Sequence, residues 1–265
     1  MINRVIFMTE FRRSFKPLLG WILGVGITML LIILLYPLAK DIYQNLPTEL
    51  LDFMEQFGGG LPDDVLEYFA TEGAMIMQIC GAIYASLLGY QTISREEREK
   101  TVDHIYVLPL SRTSFFFSKL IFVYVQIMLF SLGVSLLTAL GFLIINDFAR
   151  PGIFFLFMMG MNNVLLFMIA SLGVALACFN KKAPKSMLAL AIPLPLYVFY
   201  TLSTLTDKPI WKNFKYVTPF TFSDPIELLK SDFQFEWISF SIFLVLTVSL
   251  LVISFILYRK KEFVS

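Results

Sequence analysis

The placement of the charged side chains constrains the fold of this chain more than any other feature. Six stretches of 21 to 30 residues contain no Asp, Glu, Lys or Arg. A helix that crosses a membrane needs roughly 20 mostly apolar residues. Only 15% of the chain is charged, whereas soluble domains carry about 25%. The pattern therefore excludes a water-soluble enzyme, a nucleic-acid binder and a disordered chain. It predicts spans at about residues 17–39, 73–94, 120–146, 151–180, 186–206 and 237–258.

The spans are predicted to be helices. Inside a bilayer the backbone must satisfy its own hydrogen bonds, which leaves helices or closed barrels. The strands of a membrane barrel are alternating segments of about 10 residues, and these apolar runs are continuous and twice as long. The fold class is an all-α polytopic membrane protein with six transmembrane helices, and residues 1–265 form a single membrane domain.

The distribution of Lys and Arg predicts the orientation, because cytoplasmic loops are enriched in these residues. With six spans both termini lie on one side of the membrane, and that side carries 15 of the 21 Lys and Arg residues. Acidic residues are distributed in the opposite way, 6 on that side and 14 on the other. Both termini are therefore expected in the cytoplasm, in a protein of the cell membrane.

The segment before the first span is predicted to form an amphipathic surface helix. In residues 1–16, apolar side chains recur at roughly helical spacing between Arg4, Arg12, Arg13 and Lys16. Such a helix lies on the inner leaflet, with its cations toward anionic lipid. The alternative is a basic flank that only fixes orientation. The apolar run that follows is too long for the core of a cleavable signal peptide.

Two segments on the side of the membrane opposite the termini are long enough to fold. Residues 40–72 carry eight acids, and two short amphipathic helices are expected on either side of the break Gly58-Gly59-Gly60-Leu61-Pro62. Residues 207–236 are expected to form a turn, a short helix and a second turn, around three prolines. Within the fifth span, Pro193 and Pro195 predict a kink.

The chain lacks the residue patterns of a catalytic or ion-coupled protein. Its one histidine, His104, lies in a loop, and no ionisable residue lies within the six stretches. Ion-coupled carriers usually need such a residue. Cys80 and Cys178 make no metal site and are expected to be packing residues. No G-x-x-x-x-G-K-[ST] loop occurs, so ATP-driven work requires another polypeptide.

The loop after the second span carries the strongest local pattern. Ser94 and Glu97 have capping-box spacing, which predicts the start of a helix at Ser94. Glu96 and Lys100 are four residues apart in the favourable order, and Pro109 ends the helix. The result is a short amphipathic helix between two spans. It either docks into a cleft on a cytosolic partner or rests its apolar face on the bilayer.

This loop resembles the cytoplasmic loop of type-2 ABC exporter permeases. The matching residues are Glu96-Glu97-x-x-x-Thr101, then Ile105, then Leu108-Pro109-Leu110-Ser111-Arg112 and Lys119. Lys100 stands where the family usually has glycine. The resemblance extends to the six-span layout, to Tyr216-Val217-Thr218-Pro219-Phe220 and to the basic end Tyr258-Arg259-Lys260-Lys261.

The resemblance implies a half-transporter without catalytic residues. A second permease chain, identical or paralogous, and cytosolic P-loop ATPase subunits that bind ATP and Mg²⁺ would complete it. The resemblance assigns the following residues to coupling with the ATPase: Glu96, Glu97, Glu99, Thr101, Pro109, Ser111 and Arg112.

Small residues form two ridges that permit close approach of helices. One is Gly20 and Gly24 in the first span, and the other is Gly81, Ala85 and Gly89 in the second. They form either a dimer seam that lines the pathway or packing within one chain.

Polar residues within the spans are few, and Gln78, Asn162 and Asn163 are the pathway candidates. Interhelical hydrogen bonds explain them equally well. With 28 Phe and 12 Met, the surface available to a substrate is apolar and deformable, which favours an amphipathic or hydrophobic cargo.

The expected function is thus the permease subunit of an ATP-driven exporter. One rival is a membrane anchor, or a regulatory or immunity subunit, of an ATPase complex that moves no cargo. The other is a channel or scaffold that works without an ATPase.

Overall fold

The computed structural model describes residues 3–47, 62–99, 111–180, 185–205 and 209–260. These residues are 88% helical and include no strand. Six helical stretches are long and apolar enough to cross a membrane, which confirms the predicted all-α, six-span architecture. They are Arg4–Gln44, Val65–Glu99, Arg112–Ile145, Pro151–Phe179, Ser186–Thr204 and Trp237–Lys260.

We number the α-helices in chain order. The helices are α1 (Arg4–Leu34), α2 (Tyr36–Gln44), α3 (Val65–Tyr68), α4 (Ala74–Glu99), α5 (Arg112–Ile145), α6 (Pro151–Phe155), α7 (Asn162–Phe179), α8 (Pro193–Leu205), α9 (Pro209–Lys212), α10 (Pro225–Leu229) and α11 (Trp237–Lys260). Short π-helical segments join α3 to α4 (Phe69–Gly73) and α6 to α7 (Leu156–Met161).

The amphipathic N-terminal segment is helical, but it is continuous with the first span. Asn3 caps the start of α1, because its side chain accepts hydrogen bonds from the N–H groups of Val5 and Ile6. Pro17 lies inside the helix and has no N–H to donate. The Gln126 amide of α5 donates to the carbonyl of Ser14 at 3.2 Å. This hydrogen bond joins α5 to α1 in the turn before the proline, and one helix runs through both segments.

The second span begins earlier and ends later than the sequence predicts. Asp64 caps α3 by accepting from the N–H of Glu67 at 2.8 Å, and the helix continues from there to Glu99. The predicted helix start at Ser94 is wrong, because Ser94 lies inside α4 and its hydroxyl donates to the carbonyl of Tyr90. Residues 93–95 are buried, so packing extends the helix beyond the apolar run. The first predicted short helix, residues 50–57, lies outside the described residues.

The backbones of helices α4 and α7 approach each other closely. A Cβ atom added to Gly89 would lie 2.2 Å from the carbonyl oxygen of Ala170. One added to Gly173 would lie 2.5 Å from the carbonyl oxygen of Ser86. Both distances are shorter than any real contact, so glycine is required where the two backbones meet. Helix α11 packs on α7, and α1 packs along α5.

The fifth span consists of two helical segments. A 3₁₀ helix covers Ser186–Ala191, and α8 starts at Pro193. The change of helix type at Ile192 agrees with the kink predicted from the prolines. Segment 209–236 then forms α9, two 3₁₀ turns (Asn213–Tyr216 and Pro219–Ser223) and α10. It therefore contains more helical turns than the single short helix expected from the sequence.

The start of α1 and the end of α11 lie at one end of the bundle, which we call the termini end. The backbone N–H of Asn3 donates to the Ser118 hydroxyl at 2.7 Å, which joins the start of α1 to the start of α5. The Arg112 guanidinium donates to the carbonyl of Arg259 at 2.8 Å, which joins the start of α5 to the end of α11. We call the other end of the bundle, which carries segment 209–236, the far end.

Candidate coupling site

A buried group of charges joins three helices at the termini end. Lys119 of α5 is fully buried. Its ammonium nitrogen lies 2.5 Å from both carboxylate oxygens of Glu96 and 3.6 Å from a carboxylate oxygen of Glu10. It also donates to the carbonyl of Thr92 at 2.5 Å. The lysine of α5 therefore bonds to the last turns of α4 and to the first turns of α1.

Arg95 completes this group. Its side chain is 10% exposed and forms an ion pair with Glu10, and it lies 3.4 Å from the Ser14 hydroxyl. Glu10 thus serves both Arg95 and Lys119. We call Glu10, Arg95, Glu96 and Lys119 the charge cluster. Two cations balance two carboxylates, which is what burial of charge requires.

The cluster is sensitive to the loss of any member. Removing one partner of a buried ion pair costs about 3–5 kcal/mol, because the other charge is left buried without compensation. The three helix ends are therefore held in one arrangement. Residues 100–110, which connect α4 to α5 in the sequence, begin four residues after Glu96.

The structure divides the predicted coupling acids into two groups. The Glu96 side chain is 13% exposed and is engaged by Lys119. Glu99 is 41% exposed and lies 3.4 Å from Arg13, which is 55% exposed. Glu97 is half-buried. A protein partner would therefore meet Glu99 directly and Glu96 only through the cluster.

The other predicted coupling residues lie within the segment 100–110 or directly after it. Ser111 caps α5, because its hydroxyl oxygen accepts from the N–H of Ser114 at 3.2 Å. Arg112 holds the end of α11 as described above. Thr101 and Pro109 lie outside the described residues.

Sequence reasoning missed Glu10 and Arg95 as site residues and named Lys119 only as part of a motif. Their partners lie 23 to 109 residues away in the chain, beyond any local pattern. One signal was present, since Glu10 is the only acid among the first 40 residues. A lone carboxylate in a basic segment indicates a specific cation partner.

The three pathway candidates are buried inside the chain. The Gln78 amide donates to the carbonyl of Ser223 at 2.6 Å, so it fixes a far-end 3₁₀ turn to α4. Asn163 accepts from the Ser131 hydroxyl at 3.2 Å. Asn162 is 3% exposed, and its side-chain oxygen has no hydrogen-bond partner among the described residues. Two of the three therefore make hydrogen bonds between parts of the same chain.

The two small-residue ridges differ in what they contact. Gly81 and Gly89 lie against α7 of the same chain, and Ala85 between them is fully buried. A Cβ atom added to Gly20 or Gly24 would meet nothing within 4 Å. These two glycines line an apolar groove of about 420 Å³ between α1 and α4. The first ridge is thus open, and the second is used in packing within the chain.

The fold and the position of the cluster define a class of protein: a multi-pass helical membrane protein in which buried charges join three spans at one end. The family model for ABC-2 family transporter proteins matches residues 4–263. The chain belongs to this family and is thus identified as a permease subunit of an ABC transporter. None of the curated proteins compared with the chain matches it.

Proposed function

We propose that the chain is the membrane subunit of an exporter that moves an amphipathic or hydrophobic substrate. A separate cytosolic P-loop ATPase would bind ATP and Mg²⁺ and supply the energy. The observation that carries this proposal is the charge cluster, because it joins α1 to the ends of α4 and α5 between which the loop lies in the sequence. A force applied to the loop would reach three spans at once.

The proposed coupling follows from this connection. ATP binding shifts a conformational equilibrium only if the ATPase contacts one state better than the other. Glu99 and Arg13 form an exposed surface at the loop, with Glu97 beside it, whereas Glu96 passes the displacement to Lys119. The predicted helix of the loop would dock on the ATPase, with both termini in the cytoplasm, in agreement with the excess of Lys and Arg at the termini end.

The open groove between α1 and α4 supports the proposal of a second permease chain. Small residues at Gly20 and Gly24 let another helix approach closely. Leu23 and Ile27 beside them are 50% and 45% exposed, which gives an apolar surface around the groove. A dimer formed there would place the two grooves together as the path. The apolar lining, which includes Trp21 and Met29, suits a hydrophobic or amphipathic cargo.

Co-purification tests the ATPase contact. The full chain, tagged and extracted from its native membrane in mild detergent, is expected to carry a P-loop ATPase in fixed stoichiometry. The variant Glu99→Lys reverses the charge of the exposed acid, which is 41% exposed, and leaves the charge cluster intact, so it should lose the ATPase. The matched control Asp232→Lys reverses an exposed acid at the far end and should retain it.

Absence of any ATPase from the unaltered chain would overturn the proposal in favour of a channel or scaffold. If the complex forms, the reconstituted pair should transport an amphipathic reporter into vesicles on addition of ATP. ATP hydrolysis with no transported molecule would favour the anchor or regulatory subunit. Retention of the ATPase by Glu99→Lys would place the contact elsewhere on the chain.

A further inference from the structure

A polar cavity of about 340 Å³ opens at the far end, away from the coupling site. Its walls come from the last turns of α8, the two 3₁₀ turns, α10 and the segment before α11. Aromatic rings of Tyr200, Phe222 and Phe233 line it together with charged side chains. The cavity has the volume of a small-molecule site, which typically measures 300–1,000 Å³.

Asp224 on the wall of this cavity is a buried carboxylate. It is 8% exposed. One of its oxygens accepts from the Tyr200 hydroxyl at 2.8 Å, and the other accepts from the backbone N–H groups of Ile226 and Glu227. All three donors are neutral. Within the described part of the chain, Asp224 takes part in no ion pair.

The neighbouring acids differ from Asp224 in this respect. Glu236 lies 3.2 Å from the ammonium group of Lys215, and Glu227 lies 2.5 Å from that of Lys230. Lys212 also lines the cavity. Because buried charges are normally paired, the lack of a cation at Asp224 is an exception. The carboxylate still has lone pairs to offer, since an ionised Asp provides about four acceptor sites.

We propose that this cavity binds an organic cation, an ammonium or guanidinium group on an aromatic or apolar body, with Asp224 as the counter-charge. The aromatic side chains in the walls accommodate the apolar body of such a ligand. An inorganic ion would leave most of the cavity and its rings unused. The site lies at the opposite end from the charge cluster, so the proposal does not depend on the coupling mechanism.

The test measures binding of 2-phenylethylammonium to the full chain in nanodiscs of zwitterionic lipid by isothermal titration calorimetry. The uncharged analogue 2-phenylethanol reports partition into the lipid. We expect saturable binding of the ammonium probe and none of the alcohol. Hydrogen bonds to charged groups contribute about 1.5–3 kcal/mol, so Asp224→Asn should weaken binding by about tenfold or more.

Two further variants separate binding from folding. Thr204→Arg places a cation on the cavity wall at an exposed position of α8 and should also abolish binding, without touching the hydrogen bonds of Asp224. Asp232→Asn removes a charge outside the cavity and should bind like the unaltered chain. The proposal is overturned if the ammonium probe and the alcohol behave alike, or if either cavity variant binds the probe with unchanged affinity.

Discussion

At the scale of single residues, burial decides which ion pairs contribute most to the stability of the fold. At the termini end, the exposed pair Arg13–Glu99 joins α1 to α4, and the buried Lys119–Glu96 contact joins α5 to α4. Exposed pairs contribute about 0–1 kcal/mol because water screens them. Breaking a buried pair costs about 3–5 kcal/mol. The charge cluster, and not the surface pair, therefore holds α1, α4 and α5 together.

This difference predicts the effect of Lys119→Met. The substitution keeps the side-chain volume but leaves Glu10 and Glu96 without the buried ammonium, so the free energy of unfolding should fall by about 3–5 kcal/mol. Adding Glu96→Gln should restore part of the loss, because one uncompensated carboxylate is removed. Thermal unfolding in detergent of the unaltered chain, the two single variants and the double variant measures the coupling free energy between Lys119 and Glu96. The control Arg13→Gln should change stability by at most about 1 kcal/mol, and an equal effect of both substitutions would refute the argument.

Asp224 predicts a pH dependence of stability. Burial raises the pKa of its carboxyl above the usual value of 3.8, so the folded chain holds this proton to higher pH than the unfolded chain does. The stabilisation from the neutral form is complete below the unfolded pKa and is lost as pH rises through the folded one. In Asp224→Asn this loss is absent, while the amide oxygen can still cap α10.

The unfolding temperature of the unaltered chain should therefore fall relative to that of Asp224→Asn as pH rises from about 4 toward neutrality. Comparing the two in one pH series cancels the other titrating groups, and Asp232→Asn provides a control with an exposed carboxyl. A constant difference between the two melting temperatures across the series would show that Asp224 does not titrate in this range.

At the scale of elements, helix contacts explain where sequence reasoning succeeds and fails. The six spans follow from charge-free stretches, because hydrocarbon excludes charge whatever the tertiary structure. The end of α4 cannot be predicted from the charge-free stretch, because burial of the turn around Ser94 overrides the capping pattern there. The charge cluster could not be predicted either, because Glu10, Arg95 and Lys119 meet only after α1, α4 and α5 have packed.

The α4–α7 contact predicts opposite outcomes for two glycines. Gly89→Ala would place a methyl group 2.2 Å from a backbone oxygen of α7, and only a shift of the helices can relieve the clash. Overpacking of this kind costs about 1–3 kcal/mol. Gly20→Ala meets nothing within 4 Å and should leave the stability of the monomer unchanged. Thermal unfolding of both variants tests this, and equal stability would contradict the close approach of α4 and α7.

At the scale of the whole molecule, the termini end and the far end carry separate features. The charge cluster links the loop to three spans at one end, and the Asp224 cavity opens at the other. The groove between α1 and α4 lies along the spans, and within the described part of one chain nothing packs against its glycines. Helix α1 connects the charge cluster to the groove, since Glu10 belongs to the cluster and Gly20 and Gly24 belong to the groove. The charge cluster and the groove are therefore joined by one continuous helix.

This arrangement predicts a permease–permease contact at the groove. A benzoylphenylalanine photo-crosslinker replacing Leu23, which is 50% exposed beside Gly24, should join the chain to a second permease on illumination of native membranes. The crosslinker reacts with any nearby C–H bond, so the product forms whether the second chain is identical or a paralogue, and mass spectrometry identifies it. The same group replacing Leu244 on α11, 43% exposed, should give only lipid adducts. If Leu23 also yields only lipid adducts, the groove faces the bilayer, and the dimer contact lies on another surface of the chain.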